Sequence, residues 1–311
     1  MNDTRKLTTA VIAGPTGTIG IALCARLLRE GLTVYAVCRP GSPGIDSLPK
    51  HERLHVVSCD AANYRTLPDL IDKADAFFYF TWTNTIGAGR NNMPAQINNI
   101  RSTLDAVHAA HQLGCSVWIG AGSQAEYGRV SDLLRPDAPA FPENGYGMAK
   151  LCAGQMSRVE CKTLGMAHIW PRILSVYGPH DDFAMVIPAT IRTLLAGDCP
   201  KLTAGEQKWD YLFAEDAAEA YWRMAQYGRD GAVYPLGSGR ARPLREYMTA
   251  LRDAIDPALP LGLGEIPYGP QQVMHLQADI TALQRDTGFV PAVDFETGIR
   301  KTIEWVRSTN Q

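Results

Sequence analysis

The sequence predicts an α/β fold, a doubly wound parallel sheet followed by a smaller lobe. Short apolar runs alternate with helix-length amphipathic segments through the first half of the 311 residues. A glycine-rich turn stands between the first run and the first helix. Near residue 175 the alternation yields to less regular spacing, richer in Pro and Gly.

Taken in order, Thr8 to Ala13, Thr33 to Cys38, Leu54 to Ser58, Ala76 to Phe80, Val117 to Ala121 and Ala167 to Leu174 read as buried strands, being short, apolar and rich in β-branched or aromatic residues. Ile19 to Arg29, Tyr64 to Lys73, Gln96 to Leu113 and Tyr146 to Leu164 read as the helices between them. Such alternation requires crossovers that cover both faces of a parallel sheet. Ligands of such sheets sit at the carboxyl ends of the strands. Trp209 to Phe213, Glu215 to Ala225 and Ala232 to Leu236 repeat the strand–helix–strand pattern and read as a return to the first unit. The organisation is therefore a Rossmann-type domain over 1–175, rejoined by about 208–236. A smaller, partly discontinuous substrate lobe is drawn mainly from 176–311.

Composition excludes several functions. Hydrophobic content of 46% and charged content of 20% suit a soluble globular protein, and a net charge of −2 gives no support for nucleic-acid binding. The seven cysteines are scattered and never spaced C-x-x-C, which argues against a disulfide framework or a zinc site. No metal is expected. Met1 to Thr9 is too polar for a signal peptide, and the aromatic run Phe77 to Phe80 is too short to span a bilayer. A reduced cytoplasmic protein without a membrane partner is the expectation.

Gly14-Pro15-Thr16-Gly17-Thr18-Ile19-Gly20 lies after a strand and opens a helix. Its glycines allow a tight turn and close backbone approach, while the helix start offers free N–H groups to a pyrophosphate. The turn is read as a dinucleotide site, with Phe80 at the end of the fourth strand on the same crevice. An NAD site usually has Asp or Glu after the second strand. Here Cys38 is followed by Arg39, which can pair with a 2′-phosphate. NADP is thus favoured, with NAD as the alternative. Asp60, after the third strand, can meet the adenine edge or be an ordinary loop aspartate.

Tyr146 and Lys150 are four residues apart, on one face of a helix. A phenol normally ionises near pH 10, and a neighbouring cation should lower that value. Tyr146 is therefore a proton-transfer candidate for an alcohol/ketone pair.

Together these features resemble the extended short-chain dehydrogenase/reductase family, in particular its nucleotide-sugar epimerase, dehydratase and ketoreductase branch. The resemblance extends through Asn99 to Thr103, Gly122 to Gly128, Pro171 to Pro179, Trp209 to Asp216, Tyr234 to Gly239 and Thr287 to Trp305. It implies that Ser123 hydrogen-bonds the substrate oxygen and that Tyr146 donates or accepts the proton. It also implies that Lys150 holds the nicotinamide ribose and tunes Tyr146, with Asn99 structural or in a proton relay. Relatives dimerise through helices matching 96–113 and 146–164, so a homodimer is implied.

Dehydratases of this branch carry an Asp-Glu pair after the serine or threonine; here Gln124 and Ala125 stand there, which argues against that elimination. What remains is an NADPH-dependent reductase of a nucleotide-linked 4-keto sugar, or a 4-epimerase with retained NAD. A non-catalytic NADP-sensing regulator is a third reading, opposed by retention of Ser123, Tyr146 and Lys150. Trp82, Thr83 and Gln124 are candidate sugar contacts. Arg192, Lys201, Lys208, Arg240 and Arg242 are candidate cations for the diphosphate.

Overall fold

The computed structural model describes residues 4–309; Met1 to Asp3 of the polar N-terminal stretch and the last two residues of the 176–311 span lie outside the described residues. Seven strands form the main sheet path: β1 (Thr9–Ala13), β2 (Thr33–Cys38), β3 (Leu54–Ser58), β4 (Ala76–Tyr79), β5 (Val117–Ile119), β7 (Ala167–Ile173) and β12 (Ala232–Leu236). Their order is β12-β7-β5-β4-β1-β2-β3, every pairing is parallel, and the two-residue β6 (Gly122–Ser123) adds to β7. The order reverses between β1 and β4, which opens a crevice above their carboxyl ends. Central strands are covered on both faces: Ala10 to Ala13, Phe77, Phe78 and Val117 to Ile119 are wholly buried. Each large apolar side chain so buried contributes about 1.5–3 kcal/mol.

On one face lie α1 (Thr18–Arg29) and α5 (Ala214–Tyr227), which pack together through Leu23, Leu27, Ala217 and Tyr221. On the other lie α2 (Met93–Gln112) and α3 (Gly145–Thr163), with Ala106, Ala110, Ala153 and Cys161 against the sheet. Small residues at these positions let the helices approach closely. The segment read as a helix over Tyr64 to Lys73 differs. It is a 3₁₀ stretch, Ala61–Asp69, with non-helical backbone at Asn63 and Pro68 inside it. Proline removes an amide donor that an α-helix would need, and the Asp60 carboxylate accepting the Ala62 N–H starts the turn early.

The smaller lobe contains α4 (Val186–Leu195), α6 (Leu244–Ile255) and α8 (Phe295–Thr309), with the short strands β9 (Lys201–Leu202), β10 (Lys208–Trp209), β13 (Arg242–Pro243) and β14 (Gly262–Leu263). In α8, Phe295, Ile299, Ile303 and Val306 make one buried stripe at helical spacing, against Ile191, Met248 and Leu251. The stretch Trp209 to Phe213 does not join the main sheet. It divides at Asp210, where β10 pairs antiparallel with β13, and β11 (Tyr211–Phe213) pairs with β8 (Ser175–Tyr177). Asp210 explains the division: its buried carboxylate accepts N–H groups from Ser238, Gly239 and Ala278, tying three chain segments. The helix α7 (Thr281–Thr287) follows the last of them. No helix among the described residues is long and apolar enough to cross a membrane, and all seven cysteines are free thiols.

Candidate functional site

A cavity of about 750 Å³ lies between the carboxyl ends of the sheet and the smaller lobe. Its floor is the glycine-rich turn. Gly14 has φ +77°, and a Cβ there would meet the Thr81 N at 2.9 Å. A Cβ on Gly17 would meet nothing within 4 Å, so the protein's own packing does not demand glycine there; it would project into open space over the start of α1. Gly17 caps that helix without a side-chain hydrogen bond, leaving its first N–H groups available to a phosphate. Gly14, Gly17, Thr18, Ile19, Gly20 and Phe80 line the cavity, whereas Thr16 does not. The floor fits the pyrophosphate of a dinucleotide. Arg39 is exposed at the end of β2 and has no ion pair among the described residues. Asp60, also exposed, is engaged in capping the 3₁₀ stretch.

Ser123, Tyr146 and Lys150 meet in one wall of the cavity. Ser123 starts the 3₁₀ turn Gln124–Glu126: its Oγ accepts the Ala125 N–H at 3.2 Å, and its own N–H donates to Glu126 Oε1 at 2.7 Å. Glu126 is wholly buried, where Trp170 Nε1 donates to it at 3.0 Å and Arg172 Nε at 2.7 Å. Burial pushes its carboxyl above the ordinary range, against the pull of the Arg172 guanidinium. Glu126 faces away from the cavity wall, towards Trp170 and Arg172, so it is not a carboxylate in contact with a bound substrate. Gln124 is half-buried and also stays off the wall.

Asn144 caps α3 by accepting the Gly147 N–H, which starts the helix that carries Tyr146 and Lys150. Lys150 Nζ donates to the Ala121 carbonyl at 2.6 Å and sits 3.7 Å from the centroid of the Trp82 ring. Burial pushes its pKa down to about 7. The Tyr146 pKa departs from the sequence expectation. It is raised by burial, with Ser123 and Arg90 pulling it down and Glu126 pushing it up. Removing a phenolate from water outweighs the nearby cations. Lys150 Nζ lies 5.8 Å from the Tyr146 centroid, whereas the Arg90 guanidinium lies 4.8 Å from it.

Asn99 is committed to the loop after β4. Its Oδ1 accepts the Thr83 N–H at 3.1 Å and the Thr83 hydroxyl at 3.2 Å, while its Nδ2 donates to the Thr83 carbonyl at 3.0 Å. Gln96, one turn earlier, accepts from Trp82 Nε1 at 2.9 Å and donates to the Asn84 carbonyl at 3.0 Å. The two amides set Trp82 edge-on to Tyr146, at 6.2 Å between centroids. Trp82 lines the cavity, but Thr83 and Asn99 do not. No motif marked Gln96; its signal is a polar residue one helical turn before Asn99, facing the same loop.

The opposite wall is mostly apolar: Met185, Val186, Ile187, Leu202, Trp209 and Leu244. Trp209 Nε1 donates to Ser175 Oγ at 2.8 Å. Of the candidate diphosphate cations, Lys201 alone lines the cavity. Arg192 is exposed and stacks on Phe183, Lys208 is exposed on β10, and Arg242 pairs with Glu296 on another face. Arg240 is exposed beside Arg242 in a second depression. Those four lie outside the cavity wall because the lobe satisfies or solvates them elsewhere. Asp181, unmarked in the sequence, lines the cavity near Thr18, and burial pushes its pKa up to about 7.

Residues 10–237 match the family model described as the NAD dependent epimerase/dehydratase family. A dTDP-glucose 4,6-dehydratase of Neisseria meningitidis serogroup B is 28% identical over 58% of this chain and 54% of the relative, so the match spans about half of that relative's length. A dTDP-glucose 4,6-dehydratase of Mycolicibacterium smegmatis is 25% identical over 96% of this chain and 93% of its own. Among solved structures, a UDP-N-acetylglucosamine 4-epimerase from Methanobrevibacter ruminantium M1, in complex with UDP-N-acetylmuramic acid, superposes with a TM-score of 0.88 at 23% identity, covering 99% of this chain and 100% of that one. A UDP-glucuronic acid 4-epimerase from Bacillus cereus in complex with NAD gives 0.86 at 19% identity, covering 98% and 100%. At these identities the likeness to solved structures is one of fold.

Proposed function

The chain belongs to the NAD dependent epimerase/dehydratase family, among the extended short-chain dehydrogenases/reductases, and we propose that it reduces the 4-keto group of a nucleotide-linked sugar with NADPH. The observation that carries this reading is the meeting of Ser123, Tyr146 and Lys150 with the glycine-rich turn in one cavity. A reduced nicotinamide held there would supply hydride to a carbonyl carbon. The Tyr146 phenol donates its proton to the oxygen of that carbon, and the Ser123 hydroxyl donates a hydrogen bond to the same oxygen. Lys150, pinned by the Ala121 carbonyl, holds the ribose and the shape of the wall. Trp82 walls the sugar, while Asn99 and Gln96 hold the loop that carries it. Lys201 meets the diphosphate.

Arg39 favours NADPH: it is exposed after β2, with no carboxylate at the position that would repel a 2′-phosphate. Elimination of water is disfavoured, because the nearest carboxylate to Ser123 along the chain, Glu126, is enclosed by Trp170 and Arg172. A second reading, a 4-epimerase retaining NAD, is supported by the 4-epimerases among the neighbouring structures. A homodimer through 96–113 and 146–164 is supported by exposed Ile97, Met148, Met156 and Val159 on α2 and α3.

The test is the mass and absorbance of the dinucleotide that co-purifies, followed by NADPH consumption on 4-keto sugar nucleotides. Stoichiometric loss of absorbance at the reduced-nicotinamide band supports the reductase. Tightly held NAD with interconversion of 4-epimers and no net consumption replaces it with the epimerase.

A further inference from the structure

Arg90 has no part in the chemistry described so far. It lies on the 3₁₀ turn Gly87–Asn91 ahead of α2, with its guanidinium carbon 4.8 Å from the centroid of the Tyr146 ring. Its Nε is buried without a hydrogen-bond partner, and it forms no ion pair among the described residues. The charge is therefore not spent on a carboxylate.

Geometry fixes this stacking from both sides. The Gly145 N–H donates to Asn91 Oδ1 at 2.9 Å, joining the turn to the first residue of α3. A Cβ at Gly145 would meet the Arg90 carbonyl at 2.9 Å, so the turn rests directly on the start of the helix that carries Tyr146. Asn92 caps α2 and its N–H donates to the Gly89 carbonyl at 3.0 Å, closing the turn.

The groups facing Tyr146 come from three elements besides this turn. Lys150 is on its own helix, Ser123 ends β6 with Glu126 in the turn that follows, and Trp82 stands edge-on from the loop after β4. Of the two cations, Lys150 lies farther from the ring, 5.8 Å from its centroid, and burial pushes its pKa down to about 7. A guanidinium keeps its charge throughout the working range. A phenolate ring carries more electron density than a phenol ring, so a cation over its face stabilises the ionised form more than the neutral one.

We propose that Arg90 is a positioning residue of the reaction: its guanidinium, stacked on Tyr146, supplies a positive charge that lowers the pH at which Tyr146 exchanges its proton. The inference rests on the reading of Tyr146 as the proton-transfer group, and two readouts separate them. The first needs no turnover. The protein carrying tyrosine labelled with carbon-13 at Cζ is titrated by NMR, and the Tyr146 resonance is assigned by its loss in Tyr146→Phe. Arg90→Gln raises the ionisation pH of Tyr146 by about one unit, roughly tenfold in the ionisation constant, while Arg90→Lys, which keeps a cation over the ring, moves it by less. Arg90→Met serves equally if the Gln variant does not fold, since it keeps an aliphatic stem on the ring. An unshifted Tyr146 titration in a folded Arg90→Gln or Arg90→Met protein overturns the proposal. The second readout is the pH profile of kcat/KM for the reduction of a 4-keto sugar nucleotide. Its limb moves upward with the NMR titration if Arg90 acts through Tyr146. A shifted titration with an unmoved limb overturns the role of Arg90 in the reaction, and with it the proton-transfer reading of Tyr146, while leaving their electrostatic coupling intact.

Discussion

The two walls of the cavity hold their polar groups by different means. On the sheet side, Ser123, Tyr146 and Lys150 are backed by groups that are themselves buried and bonded: the Glu126–Arg172 pair, the Ala121 carbonyl, and the Gln96 and Asn99 amides. On the lobe side, charge is displaced to the periphery, where Arg242 pairs with Glu296 and Arg192 lies on Phe183, leaving an apolar wall with Lys201 as its cation. The difference teaches where rigidity is concentrated. Atoms that must be held to a fraction of an ångström need buried, hydrogen-bonded neighbours of this kind, although Arg172 Nη1 is left without a partner. The lobe wall supplies shape and a few polar contacts instead.

The comparison is broken most severely at Tyr146. Tyr146→Phe removes the hydroxyl without changing the ring that packs against Trp82, and turnover falls by about 10²–10⁴-fold while dinucleotide binding persists. Wild-type kinetics in that variant, measured as NADPH consumption or epimer exchange, would remove the sheet wall from the chemistry.

Next in size is the backing of Ser123. Glu126→Gln leaves Arg172 charged and enclosed without its carboxylate, and unfolding free energy falls by about 3–5 kcal/mol. The matching change on the lobe side, Glu296→Gln, breaks an exposed pair and costs about 0–1 kcal/mol. Urea titrations of the two variants check the contrast; equal losses would mean that the walls are not differently built.

The smallest effect concerns the ligand end. Lys201→Ala raises KM for a nucleotide sugar by several-fold, of order 1 kcal/mol for an exposed cation meeting a phosphate. Arg192→Ala leaves KM unchanged, since Arg192 lies outside the cavity wall. The reverse ranking in steady-state kinetics would put the diphosphate elsewhere on the lobe.

Much of the sheet side is legible in the chain because its elements are local. A five-residue strand with four apolar residues, a turn with three glycines and a helix beginning at Thr18 need only short-range pattern to be read. Asp60 and Pro68 are a counterexample: both were visible, yet the segment around them reads as an α-helix until its cap and its missing amide donor are weighed together. Gln96 escaped notice because its meaning lies in what it faces, the indole of Trp82. Arg90 escaped for the same reason, being 56 positions from the ring it covers.

The chain alone dictates a parallel sheet with covered faces, a glycine-rich turn at the start of its first helix, and a phenol and an amine on one face of a later helix. Periodicity and backbone chemistry act over a few residues, so these are written in order along the chain. Tertiary structure alone decided which charges reach the cavity, that Glu126 is enclosed by Arg172 and Trp170, that Arg90 rather than Lys150 is the closer cation to the Tyr146 ring, and that burial raises the proton affinity of Tyr146. Electrostatics depends on distance and on the exclusion of water. Both are set by residues brought together from far apart in the chain.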